Sequence, residues 1–255
     1  MNFRYIPSNS KHFDFKITGS KSISNRYLIL QAIFPKLKLT GLSNSDDTQV
    51  LQKALSSRAA VLDIHHAGTA MRFLTAYLSS RPGLEVTLTG SSRMQERPIG
   101  ILVEAMRELG ADIQYEKSEG FPPLKIKGTT LTKDEISISA NVSSQYITAL
   151  MLIAPSLSKG LSINMETKVT SRPYLKMTAQ ALRNIGVKVD FDETQISIQP
   201  KNAISDKTVA VESDWSSASY FYSCLALQDL GSIELSTYYK NSLQGDSKVA
   251  EYYKL

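Results

Sequence analysis

The chain of 255 residues contains a single cysteine, Cys224, so no intrachain disulfide can form and the sequence suits a reducing compartment. The neighbours Phe221, Tyr222, Leu225 and Leu227 predict that this thiol is structural and buried on a helix. Histidine is scarce as well, and the three present, His12, His65 and His66, include no spaced pair. Adjacent histidines cannot share one helix face as zinc ligands do, so no metal is expected. No run of about 18 apolar residues exists, so no membrane span is predicted. The opening residues lack the apolar stretch of a signal peptide, which makes a cytoplasmic location the expectation. Basic residues stand singly among acidic ones, without a polybasic block, so the net charge of +5 suits a small anionic ligand and nucleic acid is not expected. A Walker loop, a hydrolase elbow and a Ser/His/Asp constellation are all missing.

What the sequence does have is a series of polar, serine-rich helix starts. Phe13, Phe15 and Ile17 alternate with polar residues as in a strand, and Ile23, Tyr27, Leu30 and Phe34 then recur at helical spacing. Between them, Thr18 to Arg26 places Lys21 in the first helical turn, with Ser22 and Arg26 four apart on one face. Cations at that end oppose the helix dipole, and an anion bound by free amides and serine hydroxyls would compensate. Gly68–Thr69, Ser143–Ser144 and Ser216–Ser217 open further apolar helices in the same manner. Gly68 either lets an anion approach the backbone or simply turns the chain.

An internal repeat organises the middle of the chain. Arg97-Pro98 precedes Gly110 by twelve residues from the proline, and Arg172-Pro173 precedes Gly186 by thirteen. Each interval predicts a helix begun near proline and stopped at a left-handed glycine. A hairpin follows each, at 111–115 with 124–127 and at 187–191 with 195–198. Short strands are also predicted at 38–42, 61–64, 86–89 and 161–165. The expected class is therefore α/β (α+β), built from repeated βαβαββ-type units with buried helices and outer mixed sheets. Helix starts converging on one crevice would gather Lys21, Arg26, Arg93, Ser143, Ser144 and Ser171 around a small substrate carrying phosphate or carboxylate groups.

Taken together, Thr18–Arg26, Ala67–Arg72, Leu88–Pro98, Val142–Tyr146 and Asp214–Tyr220, in this order and spacing, resemble the 5-enolpyruvylshikimate-3-phosphate synthase family, the 3-phosphoshikimate 1-carboxyvinyltransferases. The resemblance runs from about residue 10 to the end. It implies transfer of the enolpyruvyl group of phosphoenolpyruvate to the 5-hydroxyl of shikimate 3-phosphate, with release of phosphate, on the route to chorismate and aromatic amino acids. By the same resemblance Lys21 contacts both substrates, and Ser22 and Arg26 hold the carboxylate end of shikimate 3-phosphate. Ser143, Ser144 and Ser171 lie around that substrate, largely at its phosphate, and Tyr174 is on its side. Gly68 and Arg93 match the phosphoenolpyruvate pocket, and Gln145 reaches both substrates. No metal or other cofactor is implied, because cations and amides neutralise the oxyanions through a tetrahedral intermediate.

The match has departures. His66 stands where many relatives have asparagine and Phe73 where proline is frequent, changes that bear on the phosphoenolpyruvate pocket and on the family's response to glyphosate. Relatives commonly exceed ~400 residues in two similar domains, with the active site between them. The expected organisation is a first segment of an incomplete domain at 1–20, a complete inserted substrate-binding domain at 21–211, and a returning segment of the first domain at 212–255. The proton-handling carboxylates would then lie beyond Leu255, leaving this stretch inactive or nearly so alone, from a parent expected to be monomeric. Two other readings stand beside this one: UDP-N-acetylglucosamine enolpyruvyl transferase, opposed by Ser22 and by the absence of a catalytic-cysteine loop, and a noncatalytic phosphometabolite-binding fragment.

Overall fold

The computed structural model describes residues 17–139, 143–165, 171–227 and 233–253. The strand expected around Phe13 and Phe15, and Val142 in the third helix opening, lie outside these residues. Helix α1 (Lys21–Ile33) leads through strand β1 (Leu37–Thr40) to α2 (Asp46–Ser56). The first repeat follows as β2 (Val61–Asp63), α3 (Gly68–Ser79), β3 (Glu85–Thr89), α4 (Ser92–Gln95), α5 (Gly100–Glu108), β4 (Asp112–Tyr115) and β5 (Leu124–Lys127). The second comprises β6 (Glu135–Ile138), α6 (Ser144–Ile153), β7 (Leu161–Met165), α7 (Arg172–Asn184), β8 (Val189–Phe191) and β9 (Gln195–Ile198). Strand β10 (Lys207–Ala210), helix α8 (Trp215–Ala226) and the short α9 (Val249–Tyr252) complete the described chain.

Each repeat closes its own four-stranded sheet, and the two sheets have the same wiring. The orders are β2-β3-β5-β4 and β6-β7-β9-β8, with the first pair parallel and the other two antiparallel. Register pairs apolar residues on one face: Val86 and Ile113 both oppose Ile126, and Ile163 opposes Ile136 and Ile196. Buried and exposed residues alternate along β5 and β6, as expected of sheets with one wet face. The glycines that end α5 and α7, Gly110 and Gly186, have φ of 108° and 80° and make the left-handed stop that the repeat demanded. Strand β10 returns to pair in parallel with β1, tying the end of the repeats to their beginning.

The sheets surround a helical centre. Ten of the twelve residues of α3 and eight of the ten in α6 are buried, so these helices are covered nearly all round. Helix α1 is buried from Ser24 to Leu30. Two expectations differ in detail. Pro98 lies before α5 rather than in its first turn, because its carbonyl accepts from Arg72 Nη2 at 3.1 Å and from the Tyr146 hydroxyl at 2.7 Å. Cys224 is exposed, not buried: only Trp215 and Ala218 of α8 are buried, so the apolar residues around the thiol do not cover it.

Candidate substrate-binding site

Six helices direct their N-terminal turns, or the residues just before them, at one cavity of about 510 Å³. Helix α1 supplies Lys21, Ser22 and Arg26; the turn before α2 supplies Ser43, Asn44 and Ser45. Thr69 and Phe73 come from α3, Ser144 and Gln145 from α6, and Tyr174 from α7. Asp214, Ser216 and Ser217 close the wall at the start of α8. Helix starts carry unpaired amides and partial positive charge, so their convergence favours an anion before any side chain is considered.

Arg26 is the strongest feature of this site. It is 4% exposed, and its guanidinium donates to Thr178 Oγ1 (2.8 Å), the Ser22 carbonyl (2.7 Å), the Tyr174 carbonyl (3.2 Å) and Thr148 Oγ1 (3.5 Å). All four acceptors are neutral, and no carboxylate among the described residues pairs with it. Burial pulls its pKa from the usual 12.5 down to about 10, with a smaller opposing effect from Tyr174, so it stays protonated at neutral pH. A buried cation held only by neutral oxygens retains capacity for an anion. Among the described residues Asp214 is the one carboxylate lining the cavity, and its Oδ2 is engaged as the α8 cap by Ser217 N (2.9 Å) and Oγ (3.0 Å).

The frame behind these groups is polar and interlocked. Ser24 Oγ accepts from Ser43 N (2.9 Å) and Thr48 Oγ1 donates to Asn25 Oδ1 (2.8 Å), fixing α1 against α2. Gln145 Nε2 reaches Thr69 Oγ1 at 3.4 Å, joining the starts of α6 and α3. The chain crosses the floor twice, at Thr18–Ser20 and Glu212–Asp214, joined by the Gly19–Ser213 bridge and the Ser20 N to Glu212 O bond of 2.8 Å.

Of the residues singled out in the sequence, Lys21, Ser22, Arg26, Ser144, Gln145 and Tyr174 therefore share one cavity. Ser143 stands just outside it as the cap of α6, accepting from Gln145 N at 3.3 Å, and Ser171 is the half-buried N-cap of α7. Gly68 opens α3, but the space beside its Cα is filled by the Arg97 guanidinium, not left open. Arg93 is exposed on α4 and does not line the cavity. Arg72 binds the carbonyls of Gly68 and Pro98 and is buried; burial first, then the charge of Arg97, pulls its pKa below the usual arginine value. Ser43 and Asn44 line the cavity without a signal in the sequence, Ser45 was expected only as a cap, and Phe73, expected to bear on the phosphoenolpyruvate pocket, lines this same cavity. Ser216 and Ser217 were visible as a fourth serine-rich helix start.

No group of three or more His, Cys, Asp or Glu among the described residues is placed to hold a metal ion, and no helix among them is long and apolar enough to cross a membrane. Repeated α/β units thus bring helix starts, and a buried arginine with only neutral partners among the described residues, to one crevice whose chemistry suits an anionic ligand. The model of one family, EPSP synthase (3-phosphoshikimate 1-carboxyvinyltransferase), matches residues 49–254, and the chain belongs to that family. A 3-phosphoshikimate 1-carboxyvinyltransferase of Bacteroides fragilis (strain YCH46) is 49% identical over 237 residues, covering 92% of this chain and 58% of the relative. One of Shewanella loihica is 38% identical over 278 residues, covering 97% and 65%. The chain thus spans about three-fifths of the length of these relatives. The solved EPSP synthase of Acinetobacter baumannii superposes with a TM-score of 0.69 at 23% identity, over 82% of this chain and 51% of that one, and shares the fold.

Proposed function

We propose that this chain is the shikimate 3-phosphate-binding part of an enzyme that transfers the enolpyruvyl group of phosphoenolpyruvate to the 5-hydroxyl of that substrate, releasing phosphate. The observation that carries the reading is Arg26, a buried cation with only neutral partners at a cavity walled by helix starts. Arg26 and Ser22 would take the carboxylate; Ser144, with Ser143 and Ser171 near its rim, would take the phosphate, and Tyr174 would flank the ring. Lys21 and Gln145 would face both substrates, and Gly68 and Arg93 the phosphoenolpyruvate side. The chain's cations and amides would stabilise the oxyanions that grow as the tetrahedral intermediate forms.

The domain reading follows the backbone. Residues 21–211 form the inserted substrate-binding domain, and 1–20 and 212–255 belong to another domain. The two crossings that meet at Gly19 and Ser213 support boundaries at these positions. Among the described residues Asp214 is the one carboxylate lining the cavity and its Oδ2 serves as a helix cap, so proton transfer is assigned to carboxylates elsewhere in the enzyme. Calorimetry with shikimate 3-phosphate and a phosphate-release assay with both substrates test this together. Binding without turnover is expected of residues 1–255. Failure to bind would remove the site assignment, and robust turnover would overturn the division of labour.

A further inference from the structure

Phe73 lines the cavity but is only 1% exposed, fixed in α3 one turn beyond Thr69. Its ring centroid lies 5.8 Å from Cζ of Arg26, and the ring of Tyr174, from the first turn of α7, lies at the same distance. Two aromatic rings from different helices thus flank a guanidinium whose hydrogen bonds run to Thr178, Thr148, Ser22 and the Tyr174 carbonyl. Tyr174 is 47% exposed and forms the open side of this arrangement, whereas Phe73 is its buried wall.

We infer that Phe73 is a positioning residue for Arg26: its ring excludes water from the guanidinium and holds it in the orientation that meets the ligand's carboxylate. Two physical effects act together. The ring face attracts the cation, and the attraction strengthens as water is excluded. A dry, fixed guanidinium also loses little freedom when its remaining N–H meets an anion. Hydrogen bonds alone would hold the guanidinium in place, but they would leave its remaining surface open to water. The lowered pKa of Arg26 accords with such exclusion. A leucine of similar apolarity would fill much of the volume while providing neither the ring face nor its flat wall. The inference rests on the shikimate 3-phosphate reading of the site, and its test separates the two.

The test compares the unaltered chain with Phe73→Leu and Phe73→Tyr, each monitored by a melting curve. In the ligand-free protein, the Arg26 Nε–Hε NMR resonance is expected to shift in Phe73→Leu and to return toward its original position in Phe73→Tyr. Calorimetry is expected to show shikimate 3-phosphate affinity falling about five- to thirty-fold in Phe73→Leu, recovering in Phe73→Tyr, with inorganic phosphate affinity unchanged. An unmoved Arg26 resonance, or equal losses for both ligands, would overturn the inference. If the unaltered chain binds no shikimate 3-phosphate, the functional reading fails by itself while the resonance still reports on Phe73. Should Phe73→Leu not fold, Phe73→Met, unbranched and pliable, carries the same comparisons.

Discussion

Arg26 and two glycines show how single residues set this site. Replacing Arg26 by lysine keeps the charge but loses the planar fork that reaches Thr178, Ser22 and the Tyr174 carbonyl at once. Without those anchors the cation no longer meets the ligand's carboxylate in place, and loss of one charge-assisted bond to the ligand, about 1.5–3 kcal/mol, predicts a fall of at least ~10-fold in shikimate 3-phosphate affinity in Arg26→Lys, measured by calorimetry. The glycines make a paired prediction. A Cβ on Gly19 would meet the Gly41 carbonyl oxygen and the Val211 side chain, neither free to move where the chain crosses itself. A Cβ on Gly68 would meet the far end of the Arg97 side chain, which can swing aside. Gly19→Ala is therefore expected to cost about 1–3 kcal/mol in urea unfolding and Gly68→Ala less than ~1 kcal/mol. Equal losses would show that clash distance alone, without regard to what yields, governs both positions.

At the scale of elements, the returning segment is held together internally by Glu212. This carboxylate is 3% exposed and accepts from Trp215 Nε1 (2.9 Å), Tyr239 N (2.9 Å), Ser242 Oγ (2.8 Å) and Gln244 Nε2 (3.0 Å). Glu212→Gln turns one acceptor into a donor among donors, so a loss of about 1–3 kcal/mol is expected, with faster hydrogen exchange in 233–253. Tyr238, beside this cluster, donates to the Asp214 carbonyl at 3.1 Å. Burial, then the charges of Asp214 and Glu212, push its pKa from 10.0 up to about 12. Between these values the folded chain keeps a proton that the unfolded chain has lost, so this group's contribution to stability falls as pH rises from 10 to 12. Tyr238→Phe should remove that part of the slope, read as the difference between the two proteins' urea midpoints at pH 9 and pH 11.

Elements with local signals were legible in the sequence, and those fixed by distant partners were less so. Gly110 and Gly186 announced both helix ends, and period-two alternation announced both hairpins. The start of α5 was displaced because Pro98's carbonyl is claimed by Arg72 and Tyr146, residues 26 and 48 positions away. In the site, Lys21, Ser22 and Arg26 were readable from one helix opening. Ser43 and Asn44 were not, since a turn of small polar residues reads the same whether it faces solvent or a cavity. Phe73 was noticed as a departure from relatives, but its place beside Arg26 depends on α1, α3 and α7 packing together. Cys224 shows the converse: apolar neighbours along a helix cannot say whether anything packs on it.

Across the whole molecule, the burial of α1, α3 and α6 contrasts with the exposure of α8, where Tyr220 is 74% and Leu227 90% exposed at or just beyond the helix. The repeats share an extensive apolar core, whereas the returning segment rests on a small cluster around Trp215, Glu212 and Tyr238. Local stability follows buried apolar contact, so the two parts should not unfold together. The lone tryptophan makes this measurable. Trp215 is 8% exposed, with its ring centroid 4.7 Å from that of Tyr238 in an edge-on contact, so its fluorescence reports only on the returning segment. Far-ultraviolet circular dichroism is dominated by the helices and sheets of the repeats. In a urea titration the fluorescence midpoint is expected at lower denaturant than the dichroism midpoint, with Glu212→Gln widening the gap by moving the fluorescence curve alone. Coincident curves that Glu212→Gln shifts together would instead make the segment and the repeats one cooperative unit. In that case the Gly19–Ser213 crossing would be part of a continuous fold, not a boundary between two.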